Sequence, residues 1–161
     1  NATGQLPHIL SVYDRGVAFQ TVADAVSVTI PAINAIVVSS PMRHILMNWG
    51  ANEMSNWGSV VEVTWKDDYL SIIDAAHAKF AAASIWIMRP WARGNEAKAA
   101  SLKTWIDDII AARSAYVFAG PDESVWLKGG DDGVTNSADG IHYSTAGQAA
   151  CAAAYQSTMG F

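Results

Sequence analysis

Two residues near the C-terminus, Asp139 and His142, have types and a spacing that suit acid–base chemistry. They lie in a loop rich in Gly, Asp and Ser, directly before an alanine-rich stretch of helical character. An aspartate three residues before a histidine, across a turn that Gly140 eases, can accept the proton of one imidazole nitrogen. The other nitrogen is then directed at a nucleophile. The same two residues could instead cap the following helix, and the spacing alone does not decide between these roles.

Two further positions suit the stabilisation of an oxyanion. Gly50 and Ala51 form a short turn after a predicted strand, so the side-chain amide of Asn52 is expected at the strand end, where it can donate to a negatively charged oxygen. The backbone N–H of Gly16, which follows another predicted strand, could be a second donor. The alternatives are an asparagine that bonds its own turn and a glycine needed only for turn geometry.

Aromatic and cationic side chains fall in predicted loops at the same strand ends. Trp49, Trp57 and Trp91 are three of the seven tryptophans, and their indole faces could stack on sugar rings. Arg89 and Arg93 could bind an anionic or hydroxyl-rich substrate, or form surface ion pairs instead. Trp49, Trp91 and Arg89 are therefore weak candidates for substrate binding.

Short apolar runs that alternate with segments of helical period must position these residues. The predicted strands are His8–Val12, Arg43–Asn48, Ser84–Arg89 and Ala115–Ala119. Each run is largely apolar, as is typical of strands buried on both faces of a parallel sheet.

Four segments between and after these runs are predicted to be helical. They are Gln20–Ser40 with a break near Pro31, a stripe from Trp65 to Phe80 behind an N-cap at Thr64, a stripe from Leu102 to Ile110, and Ser144–Gln156 capped by Ser144. The order of elements predicts an α/β fold with a parallel sheet. In such sheets ligands bind outside the carboxyl ends of the strands, where the polar residues named above fall.

Taken together and in this order, three blocks of the sequence resemble the SGNH hydrolases, also called GDSL esterases. The glycine block is Asp14-Arg15-Gly16-Val17, the asparagine block spans Leu46–Met54, and the last block is Ser137–His142 followed by Thr145-Ala146-Gly147. The resemblance extends over nearly all of the chain. It implies one SGNH hydrolase-like domain over residues 1–161, built as a three-layer α/β/α sandwich with a parallel, flavodoxin-like sheet.

The resemblance also implies a reaction and roles for these residues. A serine would attack a carboxylic ester of a small alcohol, lipid or carbohydrate, for example an acetyl or other short acyl ester. His142 would remove the serine proton, and Asp139 would hold the imidazole in the required tautomer. The amide of Asn52 and the N–H of Gly16 would bind the oxyanion.

Two features depart from the family pattern. Glu53 stands where the family usually has Asp, and the extra methylene is tolerable if this carboxylate only braces the loop. The family's GDS block with its serine is not visible, and fifteen residues precede Gly16. We expect that the chain lacks its first strand, which an N-terminal segment or a second chain would supply in the sheet. In an alternative alignment, Ile9–Arg15 corresponds to the family's GDS segment, and Arg15 occupies the position of the catalytic serine. The protein would then be an inactive carbohydrate-binding or interaction module.

No serine of the chain is assigned as the nucleophile. The serines near predicted strand ends or loops are Ser11, Ser39, Ser40, Ser55 and Ser59. None lies in a glycine-bearing turn of the kind that exposes a nucleophile, so capping and turn roles are favoured for them.

Composition excludes several other classes of protein. Fifteen acidic against ten basic residues give a net charge of -5, which argues against a nucleic-acid partner. With 51% hydrophobic residues the chain is globular, and no apolar run approaches the roughly 18 residues that a membrane span needs. The spacing of His, Cys and Asp predicts no metal site, and no glycine-rich phosphate loop indicates a cofactor. The cellular location stays open, with an extracellular polysaccharide ester as one option.

Overall fold

The computed structural model describes residues 21–37, 41–127 and 142–160. The helices are α1 (Val22–Ala35), α2 (Ala51–Ser55), α3 (Glu62–Lys79), α4 (Glu96–Ala112), α5 (Ser124–Leu127) and α6 (Thr145–Met159). The strands are β1 (His44–Met47), β2 (Ser84–Arg89) and β3 (Val117–Asp122). The predicted strand His8–Val12 lies outside the described residues.

The three strands form one parallel sheet in the order β1-β2-β3. Ile45 pairs with Ile85, and Ile85 pairs with Val117. The register between β2 and β3 then shifts between Ile87 and Arg89, so that Arg89 pairs with Asp122. The α/β class and the parallel sheet predicted from the alternation of apolar runs and helical stripes are confirmed. Because the strands are parallel, their carboxyl ends lie at the same edge.

The core lies between the sheet and the apolar stripes of α3 and α4. In α3 the buried residues are Trp65, Tyr69, Ile72, Ile73 and Ala76, and in α4 they are Ala99, Leu102, Trp105, Ile106 and Ile109. Both stripes match the predicted positions. Each recurs at three- and four-residue spacing, which places its members on one face of the helix. α1 packs against α3 and adds Val22, Ala25 and Ile33 to the core.

The predicted break at Pro31 is wrong, since α1 continues through the proline to Ala35. A proline inside a helix costs about 3 kcal/mol because it removes a hydrogen bond and crowds the preceding turn. Val22 and Ala25 are buried before Pro31, and Ile33 is buried after it. Packing of residues on both sides of the proline keeps the helix continuous. Local helix propensity contains no information on such packing.

Two predicted boundaries are also corrected. α3 begins at Glu62 behind Val61, so Thr64 lies inside the helix rather than at its N-cap. The last strand is Val117–Asp122 rather than Ala115–Ala119, because a turn occupies the residues up to Tyr116, whose N–H donates to the Arg113 carbonyl. This strand includes Pro121, which an edge strand tolerates since one side of it need not donate to a neighbour.

Burial of the strands is uneven between the two faces of the sheet. Leu46, Trp86 and Phe118 lie side by side across the three strands. Leu46 is 50% exposed and Phe118 is 36% exposed. Burial on both faces, as predicted for every strand, is therefore wrong for β1 and β3, the outer strands of the sheet that the described residues form. Within the described ranges, no helix has the length and apolar character needed to cross a membrane.

Candidate functional site at the carboxyl edge of the sheet

Three residues that lie within two positions of the strand ends meet at the carboxyl edge of the sheet. Asn48 follows β1, Trp91 lies two residues after β2, and Glu123 follows β3. The Asn48 side-chain amide donates to Glu123 Oε1 at 3.2 Å, and the Trp91 backbone N–H donates to Glu123 Oε2 at 2.7 Å. One carboxylate thus joins the ends of all three strands.

The turn that leads to Asn52 requires glycine at position 50. Gly50 has φ +127°, a backbone conformation that residues with a side chain rarely adopt. A Cβ at this position would lie 2.6 Å from Pro90 Cγ and 3.1 Å from Leu102 Cδ1. The chain therefore passes close to Pro90 and enters α2 at once, which makes the half-buried Asn52 the second residue of that helix.

Glu53 braces this turn against α1. Its side chain is 1% exposed, and Oε1 accepts a hydrogen bond of 2.6 Å from the backbone N–H of Val22, the first residue of α1. A helix N-terminus has backbone N–H groups without a partner in the helix, and it favours a negative charge. From the α4 side, Lys98 Nζ donates to the Met54 carbonyl at 2.7 Å. A backbone N–H of α1 and a side chain of α4 therefore both hold α2 in place.

His142 is exposed and lies two residues before the N-cap of α6. That cap is Ser144, whose side chain accepts from the Gly147 N–H at 3.1 Å, as the sequence predicts. The capping role considered for the histidine is thus filled by another residue. Asp139 lies outside the described residues, so its pairing with His142 stays a prediction.

The residue after the histidine connects this loop to the strand ends. The hydroxyl of Tyr143 donates a short hydrogen bond to Glu123 Oε1, the same oxygen that accepts from Asn48. It also lies 3.6 Å from Met88 Sδ in β2. The segment before α6 and the segment after β1 are therefore bonded to one buried oxygen.

Burial sets the protonation of this cluster. Burial raises the pKa of the Glu123 carboxyl, although the hydrogen bonds from Tyr143, the Trp91 N–H and Asn48 act in the opposite direction. Burial, followed by the nearby Glu123 charge, also raises the pKa of Tyr143, so at neutral pH its hydroxyl keeps its proton and donates it. The same two causes raise the pKa of Cys151 to about 11. Cys151 is a neutral thiol at pH 7, which disfavours it as a nucleophile.

The weak substrate-binding candidates are engaged in packing and ion pairs. Trp91 is 7% exposed, so little of its indole is open to a sugar ring. The half-buried ring of Trp49 stands edge-on against Tyr69, at a centroid distance of 5.4 Å. Arg89 forms an ion pair with Asp107 of α4 and also donates to the Gly120 carbonyl at 3.4 Å. This ion pair is the alternative that the sequence left open for Arg89.

Other predicted site residues fall partly outside the described ranges. Gly16, Ser11, Ser39 and Ser40 lie outside them, as does Arg15 of the alternative alignment. Ser55 is exposed at the end of α2, and the exposed Ser59 donates its hydroxyl to the Asn56 carbonyl at 2.9 Å. The bond of Ser59 supports a turn role, and the nucleophile stays unassigned.

Sequence reasoning missed Glu123, Tyr143 and the amide of Asn48. A signal for the first was present, because Glu123 lies four residues after the predicted strand Ala115–Ala119 and two residues before the apolar run Val125–Leu127. A carboxylate between a strand end and an apolar run is expected to be buried only with partners. Tyr143 is adjacent to His142, but nothing in its type indicated which group its hydroxyl would bond.

Within the described part of the chain, no group of three His, Cys, Asp or Glu side chains is placed to hold a metal ion. No protein-family model and no curated protein matches this sequence. The resemblance to the SGNH hydrolases therefore rests on the residues quoted above and stays a prediction.

Proposed function

We propose that this protein is a serine ester hydrolase of the SGNH type, with the three-layer α/β/α fold of that family. One observation supports this most: Asn48 and Tyr143 bond the same oxygen of Glu123. We call the last block, Ser137–His142, the histidine block. The asparagine block and Tyr143, which directly follows the histidine block, therefore meet at the carboxyl edge of a parallel sheet although they lie far apart in sequence. Ligands bind at that edge in open α/β sheets.

The proposed reaction divides between a base and an oxyanion site. His142 takes the proton of a serine hydroxyl as the serine oxygen forms a bond to the ester carbonyl carbon. The tetrahedral intermediate then collapses, the bond to the alcohol oxygen breaks, and His142 returns the proton to that oxygen. Water releases the acyl group from the serine by the same two steps. Asp139 orients the imidazole throughout.

Asn52 and the Gly16 N–H are the proposed oxyanion donors. The positive φ of Gly50 and the buried hydrogen bond that the Val22 N–H donates to Glu53 hold the turn of Asn52 in place before any substrate arrives. Donors fixed in advance lose no energy to reorganisation when charge develops, and removal of one such donor costs about 3 kcal/mol in the transition state. The rigid turn is what this role requires.

Ester turnover by histidine variants tests the proposal. We expect His142→Gln to abolish hydrolysis of a short-chain acyl ester such as 4-nitrophenyl acetate. His44→Gln is the matched control, because His44 begins β1 at the opposite edge of the sheet. Its imidazole Nδ1 accepts from Trp86 Nε1, a bond that a glutamine oxygen can also accept. Turnover in His142→Gln equal to that of His44→Gln would contradict the assignment.

If the protein is instead an inactive carbohydrate-binding module, the unmodified chain should bind a glycan without hydrolysing an ester. The packing of Trp91, and of Trp57 on Trp105 at a centroid distance of 5.2 Å, leaves these indoles less suited to stack on a sugar. Glycan binding without ester turnover would nevertheless overturn the proposal that the protein is a hydrolase.

A further inference from the structure

Glu123 bonds both Asn48 of the asparagine block and Tyr143, the residue directly after the histidine block. We propose that Glu123 is a positioning residue, whose carboxylate fixes the segment containing His142 relative to the turn containing Asn52. That these two residues act on an ester rests on the proposed function, whereas the link itself is a property of the fold.

The two carboxylate oxygens have separate tasks in this link. Oε2 accepts from the Trp91 N–H, which anchors the side chain to the segment after β2. Oε1 accepts from the Asn48 amide and from the Tyr143 hydroxyl. Asn48 is separated from the turn at Gly50 by a single residue, and Tyr143 is adjacent to His142. Movement of either block would therefore stretch a bond to the same oxygen.

The backbone of Glu123 is itself held on both sides. Its N–H donates to the Arg89 carbonyl at 3.0 Å, and its carbonyl accepts from the Leu127 N–H at 2.8 Å. The residue is 4% exposed, so water has little access to replace the partners of its carboxylate. A carboxylate anchored in this way is a fixed point to which the more exposed segment before α6 is tied.

Tyr143→Phe tests the link by deleting one hydroxyl and keeping the ring. The control is Tyr116→Phe, which deletes a hydroxyl that donates to Asp74 at 3.0 Å. Tyr116 immediately precedes β3, so the control lies at the opposite edge of the sheet. Amide hydrogen exchange is measured at Gly147 and Gln148 in the first turn of α6, with the amides of β2 as the reference for global unfolding.

We expect exchange at Gly147 and Gln148 to rise about tenfold or more in Tyr143→Phe, because a hydrogen bond to a charged group is lost. The same amides should exchange at the original rate in Tyr116→Phe. In ester turnover, Tyr143→Phe should lower kcat about tenfold or more with KM unchanged, since misplacement of a catalytic group acts on the reaction step.

Glu123→Gln provides a second, conservative variant. A glutamine oxygen can still accept from the Trp91 N–H, and its NH₂ group can donate to the Tyr143 oxygen once that hydroxyl rotates. We expect exchange in this variant to lie closer to the original protein than in Tyr143→Phe. Combining the two substitutions should have less than the sum of their separate effects, because both alter the bond between Glu123 and Tyr143.

Unchanged exchange at Gly147 and Gln148 in Tyr143→Phe would overturn the proposal, whatever the activity. A kcat equal to that of Tyr116→Phe, in a protein that hydrolyses esters, would also overturn it. If the unmodified chain hydrolyses no ester, the proposed function fails. The local rise in exchange would then still support Glu123 as the fixed point of this edge.

Discussion

The length of the Glu53 side chain, rather than its charge alone, determines whether the turn of Asn52 is joined to α1. Glu53 Oε1 lies 2.6 Å from the Val22 nitrogen. In Glu53→Asp the carboxylate is shorter by one carbon–carbon bond, about 1.5 Å, which leaves the oxygen about 4 Å from that nitrogen and outside hydrogen-bond range. A buried hydrogen bond to a charged group contributes about 1.5 to 3 kcal/mol. Glu53→Asp should therefore destabilise the fold by about 2 kcal/mol.

Glu53→Gln is the matched variant, because it keeps the length of the side chain and one acceptor oxygen. We expect its free energy of unfolding to be reduced less than that of Glu53→Asp. Urea unfolding measures both, and with a slope of about 2 kcal/mol per molar the aspartate variant should unfold at a midpoint about 1 M lower. The claim that Glu53 braces the turn against α1 would be refuted if the free energy of unfolding of Glu53→Asp lay within about 0.5 kcal/mol of that of the original protein. It would also be refuted if Glu53→Asp were less destabilised than Glu53→Gln.

Three further predictions concern the same edge of the sheet. Gly50→Ala should destabilise the fold by about 2 to 4 kcal/mol in urea unfolding, because the alanine would have a strained backbone and its Cβ would clash with Pro90. A loss of stability under about 1 kcal/mol would contradict the positive φ at this position. Burial raises the folded-state pKa of Glu123 above its ordinary value of 4.5, so the carboxyl contributes stability that is fully present below pH 4.5 and is lost as the pH rises through the folded pKa. The stability of the original protein relative to Glu123→Gln should thus fall as the pH rises above 4.5 through the folded pKa, and a difference that does not change with pH would refute the raised pKa. Asn52→Ala should lower kcat about 100-fold with KM unchanged, whereas an equal loss through KM would indicate a ground-state role.

The core and the class of fold were predictable because they depend on the period of apolar residues. The stripe from Trp65 through Ile73 and the run Ser84–Arg89 occur where the sequence predicts them. The path of the chain at Pro31 was not predictable, because it depends on the packing of α1 against α3. Such contacts join residues distant in sequence and have no local pattern.

The candidate site was predictable only in part, for a related physical reason. Gly50, Asn52 and the cap at Ser144 follow from local turn and helix chemistry, and the expected brace at Glu53 agrees with its bond to α1. The role of Glu123 depends on three strands ending at one edge, which gives a buried carboxylate partners from three segments. Only the assembled sheet shows which donors those are.

Covalent labelling with a fluorophosphonate tests the central claim most directly. The purified chain is incubated with the reagent, and its intact mass is measured beside those of His142→Gln and the control His44→Gln. A serine ester hydrolase predicts a single adduct in the original chain and in His44→Gln, and none in His142→Gln. An adduct that forms equally without His142 would contradict it, and no adduct on a chain that is folded by circular dichroism would contradict a serine nucleophile within these 161 residues.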